Sequence, residues 1–171
     1  MPDQSELLFA HVLSPEDPCW SIVTEASYEL RKIVFQRGQG IPADHDRDSV
    51  DGLSMHFLAT YPGKYVRPSI TVVGSARATR TEDGFKIGRV CTLPRFQGGS
   101  DIYIGHVGTQ LMEYLIRVLS HHHPETLLYL YAQADPAKKQ DVRGFYERLG
   151  FKAVGEPVTI VDILHQRMEL P

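Results

Sequence analysis

Cysteine and long apolar runs are nearly missing from this chain of 171 residues. The two cysteines, Cys19 and Cys91, form no CxxC pair, which argues against a disulfide scaffold and a thiolate zinc site. No apolar run approaches the ~20 residues that a membrane-spanning helix needs, so no membrane partner is expected. An excess of cations is missing too. Lys and Arg total 18 against 21 Asp and Glu, a formal charge of −3. That balance supplies no broad cationic face, so nucleic acid is not expected as a partner. The first residues carry acids where a secretory signal would carry lysine or arginine, and a cytoplasmic protein is expected. What remains is ordinary globular material, 42% hydrophobic and 23% charged, without repeats or a Pro/Gly/Ser-rich linker. At roughly 100–200 residues per domain, residues 1–171 are expected to form a single domain.

Hydrophobic periodicity orders the elements. Residues 7–12 read as a first strand, closed by Ser14-Pro15-Glu16-Asp17-Pro18. Over residues 21–35, Ile22, Ala26, Leu30 and Val34 recur every four positions, which predicts a helix with those side chains buried. Glu25, Arg31 and Lys32 fall outside that face, and the polar stretch 43–52 reads as an exposed charged loop. Runs at 53–61, 70–79 and 85–93, separated by turn signals, predict a three-stranded meander. A helix is expected over 107–119, a buried strand over 126–132, and a short helix over 140–149 that Gly150 stops. Strands over 151–154 and 159–170 close the chain. The layout is mixed α/β, with helices covering a mostly antiparallel central sheet.

The segment Phe145-Tyr146-Glu147-Arg148-Leu149-Gly150-Phe151 is the sharpest motif. A helix end with a Gly cap accounts for Phe145, Leu149, Gly150 and Phe151 but leaves Tyr146 free to point elsewhere. Upstream, Gly88-Arg89-Val90-Cys91-Thr92-Leu93 precedes Gly105-His106-Val107-Gly108-Thr109-Gln110-Leu111-Met112. Glycines entering an amphipathic helix let backbone N–H groups and the helix dipole approach a phosphate. In that order and spacing the two segments resemble the GNAT N-acetyltransferase superfamily. Val34-Phe35-Gln36-Arg37-Gly38-Gln39-Gly40-Ile41-Pro42, His56-Phe57-Leu58-Ala59, Ala132-Gln133-Ala134 and Leu164-His165-Gln166-Arg167-Met168 resemble its ElaA-like branch, with Gly38 where that branch carries glutamate.

The resemblance implies a GNAT (acyl-CoA N-acyltransferase) fold and an acetyl-CoA-dependent N-acetyltransferase. Its acceptor would be a primary amine of a small molecule or peptide, attacking directly without a covalent enzyme intermediate. Acetyl-CoA is then a co-substrate, and no metal is implied. Cofactor-binding candidates are Cys91, Thr92, Leu93, Gln97, Gly105, His106, Val107, Gly108 and Thr109. Catalytic candidates are Tyr146, donating a proton to the departing thiolate, and His56 and His165, whose imidazoles titrate near neutrality. Each histidine has an alternative role as a hydrogen-bonded core residue. Residues 97–104 are an insertion relative to the family loop and are expected to loop outward. Cys91 reads as a small core residue, and His121-His122-His123 as a solvated helix end. A non-catalytic acyl-CoA-binding module, acting as sensor or scaffold, is the alternative. The acceptor's identity stays open, and so does the choice between monomer and homodimer.

Overall fold

The computed structural model describes residues 7–62, 70–96 and 106–171. The candidates Gln97 and Gly105 and the 97–104 insertion lie outside the described residues. The strands are β1 (Leu8–Val12), β2 (Ser54–Pro62), β3 (Ile70–Arg80), β4 (Phe85–Thr92), β5 (Leu128–Asp135), β6 (Gln140–Asp141), β7 (Lys152–Ala153), β8 (Val158–Ile160) and β9 (Ile163–Leu170). The helices are α1 (Trp20–Arg31), α2 (Ala43–Asp46), α3 (Val107–His122) and α4 (Arg143–Arg148). The central sheet runs β1-β2-β3-β4-β5-β9-β7, antiparallel except where β4 meets β5. The expected run 159–170 is in fact a hairpin, β8 and β9, turning at Val161 and Asp162 with positive φ.

Alternation along the strands gives the sheet two different faces. Phe57, Ala76, Phe85, Ile87, Leu128 and Leu130 join Leu111 and Leu115 of α3 in the main core. The opposite face is covered by α1 over β2 and β3, and it is more polar. There Ser27 and Ser75 share a buried 2.6 Å hydrogen bond.

The buried stripe of α1 differs from the expected one. Ile22 is 73% exposed, whereas Val23, Thr24, Ser27, Leu30 and Arg31 are buried. Leu30 and Val34 are buried as the spacing predicts and Ala26 is half-buried; the departure is at Ile22, whose place Val23 takes, and at the polar Thr24, Ser27 and Arg31, which share the buried side. The charged loop likewise is not solvated throughout. Arg31 (0% exposed) donates Nε to Asp46 at 2.8 Å and Nη1 to Asp51 at 2.7 Å, and both carboxylates are buried. A π-helical turn, Lys32–Gly38, continues α1 and lets Gln36 donate to Asp46 at 3.0 Å.

Candidate active site

β4 and β5 share three register pairs, the last being Ile87↔Leu130, although both strands continue for several residues. They therefore splay apart. The divergence begins at a bulge: Ser75 faces Cys91 and Arg77 faces Gly88, so Arg89 and Val90 together oppose Ala76. Arg89 takes φ 53°, the left-handed residue of that bulge. A glycine inside a strand pattern, Gly88, was the signal in the sequence that marked this place.

Backbone direction at the end of β4 corrects one expectation. Leu93 donates its N–H to Val73 O at 2.9 Å, so that amide is engaged by β3. Antiparallel alternation turns Cys91 the same way and Thr92 the other way, toward the gap. The Cys91 side chain packs under α1 against Leu30 and Val34, and burial pushes its thiol up to about 12. A thiol held there is protonated and inert. We expect a maleimide to label the exposed Cys19 in the native protein and to leave Cys91 unmodified until denaturant is added, as read by peptide mass.

The start of α3 faces the same gap. His106 precedes the helix in the left-handed conformation (φ 67°, ψ 35°), with no side-chain cap on the helix. A left-handed residue followed by helical ones curls successive N–H groups into an anion-binding concavity. The groups concerned belong to Val107, Gly108 and Thr109. The Val107 side chain is buried in the core. A Cβ on Gly108 would lie 3.5 Å from Phe145 and 3.7 Å from Thr92, in ordinary contact with both. The end of β4, the start of α3 and Phe145 of α4 thus meet around Gly108.

Tyr146 stands in the same helix, α4. Its ring meets Phe145 at 4.9 Å and Phe151 at 6.1 Å, both edge-on. Gly150, with φ 95°, ends the helix, and Phe151 N–H returns to Tyr146 O at 3.1 Å. The Val142 N–H donates to Gln133 O at 2.9 Å, so the end of β5 fixes where α4 begins. Among the described residues the Tyr146 hydroxyl has no hydrogen-bond partner, and burial pushes it up to about 12. It stays protonated at neutral pH.

The two histidines occupy different settings. His165 on β9 faces Gln133 across the sheet. Its Nδ1–H donates to Ile163 O at 2.9 Å, which leaves the lone pair on Nε2. His56, by contrast, is 0% exposed on β2, with Nε2–H donating to Asp51 O at 2.9 Å and its ring between Trp20 and Tyr28. Burial lowers its basicity, so it is neutral. In this position His56 lies beneath α1 and ties β2 to the Asp51 turn. No group of three or more His, Cys, Asp or Glu among the described residues is arranged to hold a metal ion.

Sequence reasoning missed a further set of residues. Arg77, Lys86, Gly88, Arg89 and Asp48 line a cavity of about 410 Å³ on the α1 side, reaching the bulge where β4 leaves β5. Asp48 had been placed in a solvated loop. In the structure it receives Arg77 at 2.7 Å and Arg89 at 3.0 Å.

Comparison with known proteins agrees with this geometry. An "Acetyltransferase (GNAT) domain" family model matches residues 63–171. Protein ElaA of Escherichia coli (strain K12) is 30% identical over 135 residues, 77% of this chain and 76% of that protein. The crystal structure of Escherichia coli ElaA superposes with a TM-score of 0.71 at 27% identity, covering 95% of this chain and 98% of that one. An acyl-CoA N-acyltransferase from Pseudomonas aeruginosa gives 0.73 at 25% identity, covering 96% and 99%. An aminoglycoside 6'-N-acetyltransferase solved with coenzyme A shares the fold alone, at 0.60 and 15% identity over 95% and 96%. In sequence over most of its length and in fold over nearly all of it, this chain belongs to the GNAT acetyltransferase family.

Proposed function

We propose that the protein is an acetyl-CoA-dependent N-acetyltransferase that passes the acetyl group directly to a primary amine. The observation that carries this reading is the convergence on Gly108, where the left-handed entry to α3, the end of β4 and the helix of Tyr146 meet. These residues fit the co-substrate. A concave row of N–H groups suits a pyrophosphate, and a splayed sheet accepts an extended chain of amides between its strands.

Acetyl-CoA supplies the acyl group already activated as a thioester. The Val107, Gly108 and Thr109 N–H groups hold the phosphates, and the Thr92 backbone orients the chain that follows. Positioning of this kind supplies much of the rate in a direct transfer. His165 Nε2 takes the proton of the incoming ammonium, freeing the amine's lone pair. The N–C bond forms as the C–S bond breaks, and the attacking nitrogen gives up its second proton to solvent. Tyr146 O–H donates to the departing sulfur, and solvent restores both groups. His56 holds the Asp51 turn and stays out of the chemistry.

The test is coenzyme A release from acetyl-CoA over a panel of amines, amino acids and peptides. Amine-dependent release supports the reading. Tight acetyl-CoA binding without release on any amine replaces it with a binding module. The convergence itself is tested by Gly108→Val. Space for one Cβ means the variant folds, while its methyls fill the approach to the N–H groups. Acetyl-CoA affinity falls by about tenfold or more, a cost of about 1.4 kcal/mol or greater. Calorimetry reads the affinity and a melting curve checks the fold. Unchanged affinity in the folded variant removes the assignment.

A further inference from the structure

The cavity beside the bulge has a sign. Of its charged lining residues Arg77, Lys86 and Arg89 are cations and Asp48 is the one carboxylate. That carboxylate is already saturated: Oδ1 accepts from Arg77 and from the Val50 N–H, and Oδ2 accepts from Arg77 and Arg89. It has little left to offer a cationic ligand. Lys86 is different. It is exposed, stands opposite Thr79 in the β3–β4 register, and rests its ammonium 5.2 Å from the Tyr131 ring. Among the described residues it makes no ion pair. Arg77 is already engaged by Asp48 and Asp51, and Arg89 by Asp48 and, at 3.8 Å, Asp46.

Position matters as much as sign. Lys86 pairs with Tyr129 and the following residue, Ile87, makes the last pair before the strands splay. A ligand group bound at Lys86 therefore lies next to the opening, on the face opposite α3 and Tyr146. We infer that this cavity is the acceptor subsite, and that the acceptor is an amine carrying an anionic group, carboxylate or phosphate, held by Lys86. This inference rests on the acyltransferase reading above. A polycationic acceptor would meet Lys86 and a carboxylate whose lone pairs Arg77, Arg89 and the Val50 N–H already take.

The experiment compares matched amines that differ in the anionic group: lysine with cadaverine, phenylalanine with phenethylamine, and O-phosphoethanolamine with ethanolamine. Wild-type kcat/KM favours the anionic member of at least one pair by about tenfold or more, the scale of one charge-assisted hydrogen bond. The first two pairs report carboxylate recognition, the third phosphate. Lys86→Met collapses that preference through KM, and Lys86→Arg keeps it. Both substitutions are at an exposed position, and the fold is verified by melting. Equal or better turnover of the uncharged-side members by wild type overturns the inference while leaving the acetyltransferase reading intact. So does a preference that survives Lys86→Met. Absence of release on every amine fails the acetyltransferase reading, and the acceptor assignment falls with it.

Discussion

Replacing Tyr146 with phenylalanine lowers kcat by at least about tenfold, toward the ~10²–10⁴-fold of a positioned proton donor, while acetyl-CoA affinity stays near wild type. The ring contacts that fix α4, with Phe145 and Phe151, are kept in the variant. What disappears is a hydroxyl that no described residue accepts. A buried phenol with a local partner would serve packing. One without a partner among the described residues keeps its hydrogen bond for a ligand. Burial pushes this phenol up to about 12, so it stays protonated and able to donate at neutral pH. The measurement is single-turnover acetyl transfer with the best acceptor, alongside acetyl-CoA titration. A rate within about twofold of wild type, with chemistry limiting, makes Tyr146 structural, since a working donor contributes far more.

Arg31→Met produces the largest loss of stability. The guanidinium is fully buried and joins Asp46 to Asp51, so removing it leaves buried Asp51 with Arg77 alone and buried Asp46 with Gln36 and a more distant Arg89. Breaking a buried pair from one side costs about 3–5 kcal/mol. For a chain of this size the melting temperature drops by about 6–20 °C, at 2–4 °C per kcal/mol. The exposed pair Lys32–Glu29, at 3.5 Å, serves as the control, and Lys32→Met costs less than about 1 kcal/mol. A drop after Arg31→Met no larger than the control's would show that the loop is held by other contacts.

The same network gives a pH signature. Arg31 and Arg77 hold the Asp51 carboxyl well below the usual carboxylate range, against the opposing pull of burial. A depressed folded value means that the stabilisation is complete above the unfolded pKa of about 3.9 and is lost as pH falls below it. Urea midpoints should fall steeply below about pH 4 in the wild type, and Asp51→Asn should flatten that slope.

Element types and their order were legible in the sequence because they follow from spacing along the chain. Strand alternation at 53–61, 70–79 and 85–93 became β2, β3 and β4 with shifts of about a residue. The four-residue repeat at 107–119 became α3, and Gly150 ended α4 where expected. The motif around Tyr146 and the glycine-spaced start of α3 were visible for the same reason. Each is local, and its residue types are set by backbone conformation within a few positions.

What the tertiary structure decided was which partner each side chain meets. Arg31 read as solvent-facing because a charge is usually excluded from a helix's buried stripe; two aspartates 15 and 20 residues away make it the most buried side chain of α1. Ile22 lost its place in the core because the neighbouring Val23 takes it, packing on Val12 and Leu58 of the sheet while Ile22 turns outward. His56 and His165 look alike in sequence, yet one lies buried under α1 and the other stands opposite Gln133 with Nδ1–H on Ile163 O. The splay after Ile87 and the cationic cavity beside it come from register between strands about 40 residues apart. Periodicity encodes which face of an element is apolar. It does not encode what the opposite face will find across the fold, and burial, pairing and charge balance are settled there.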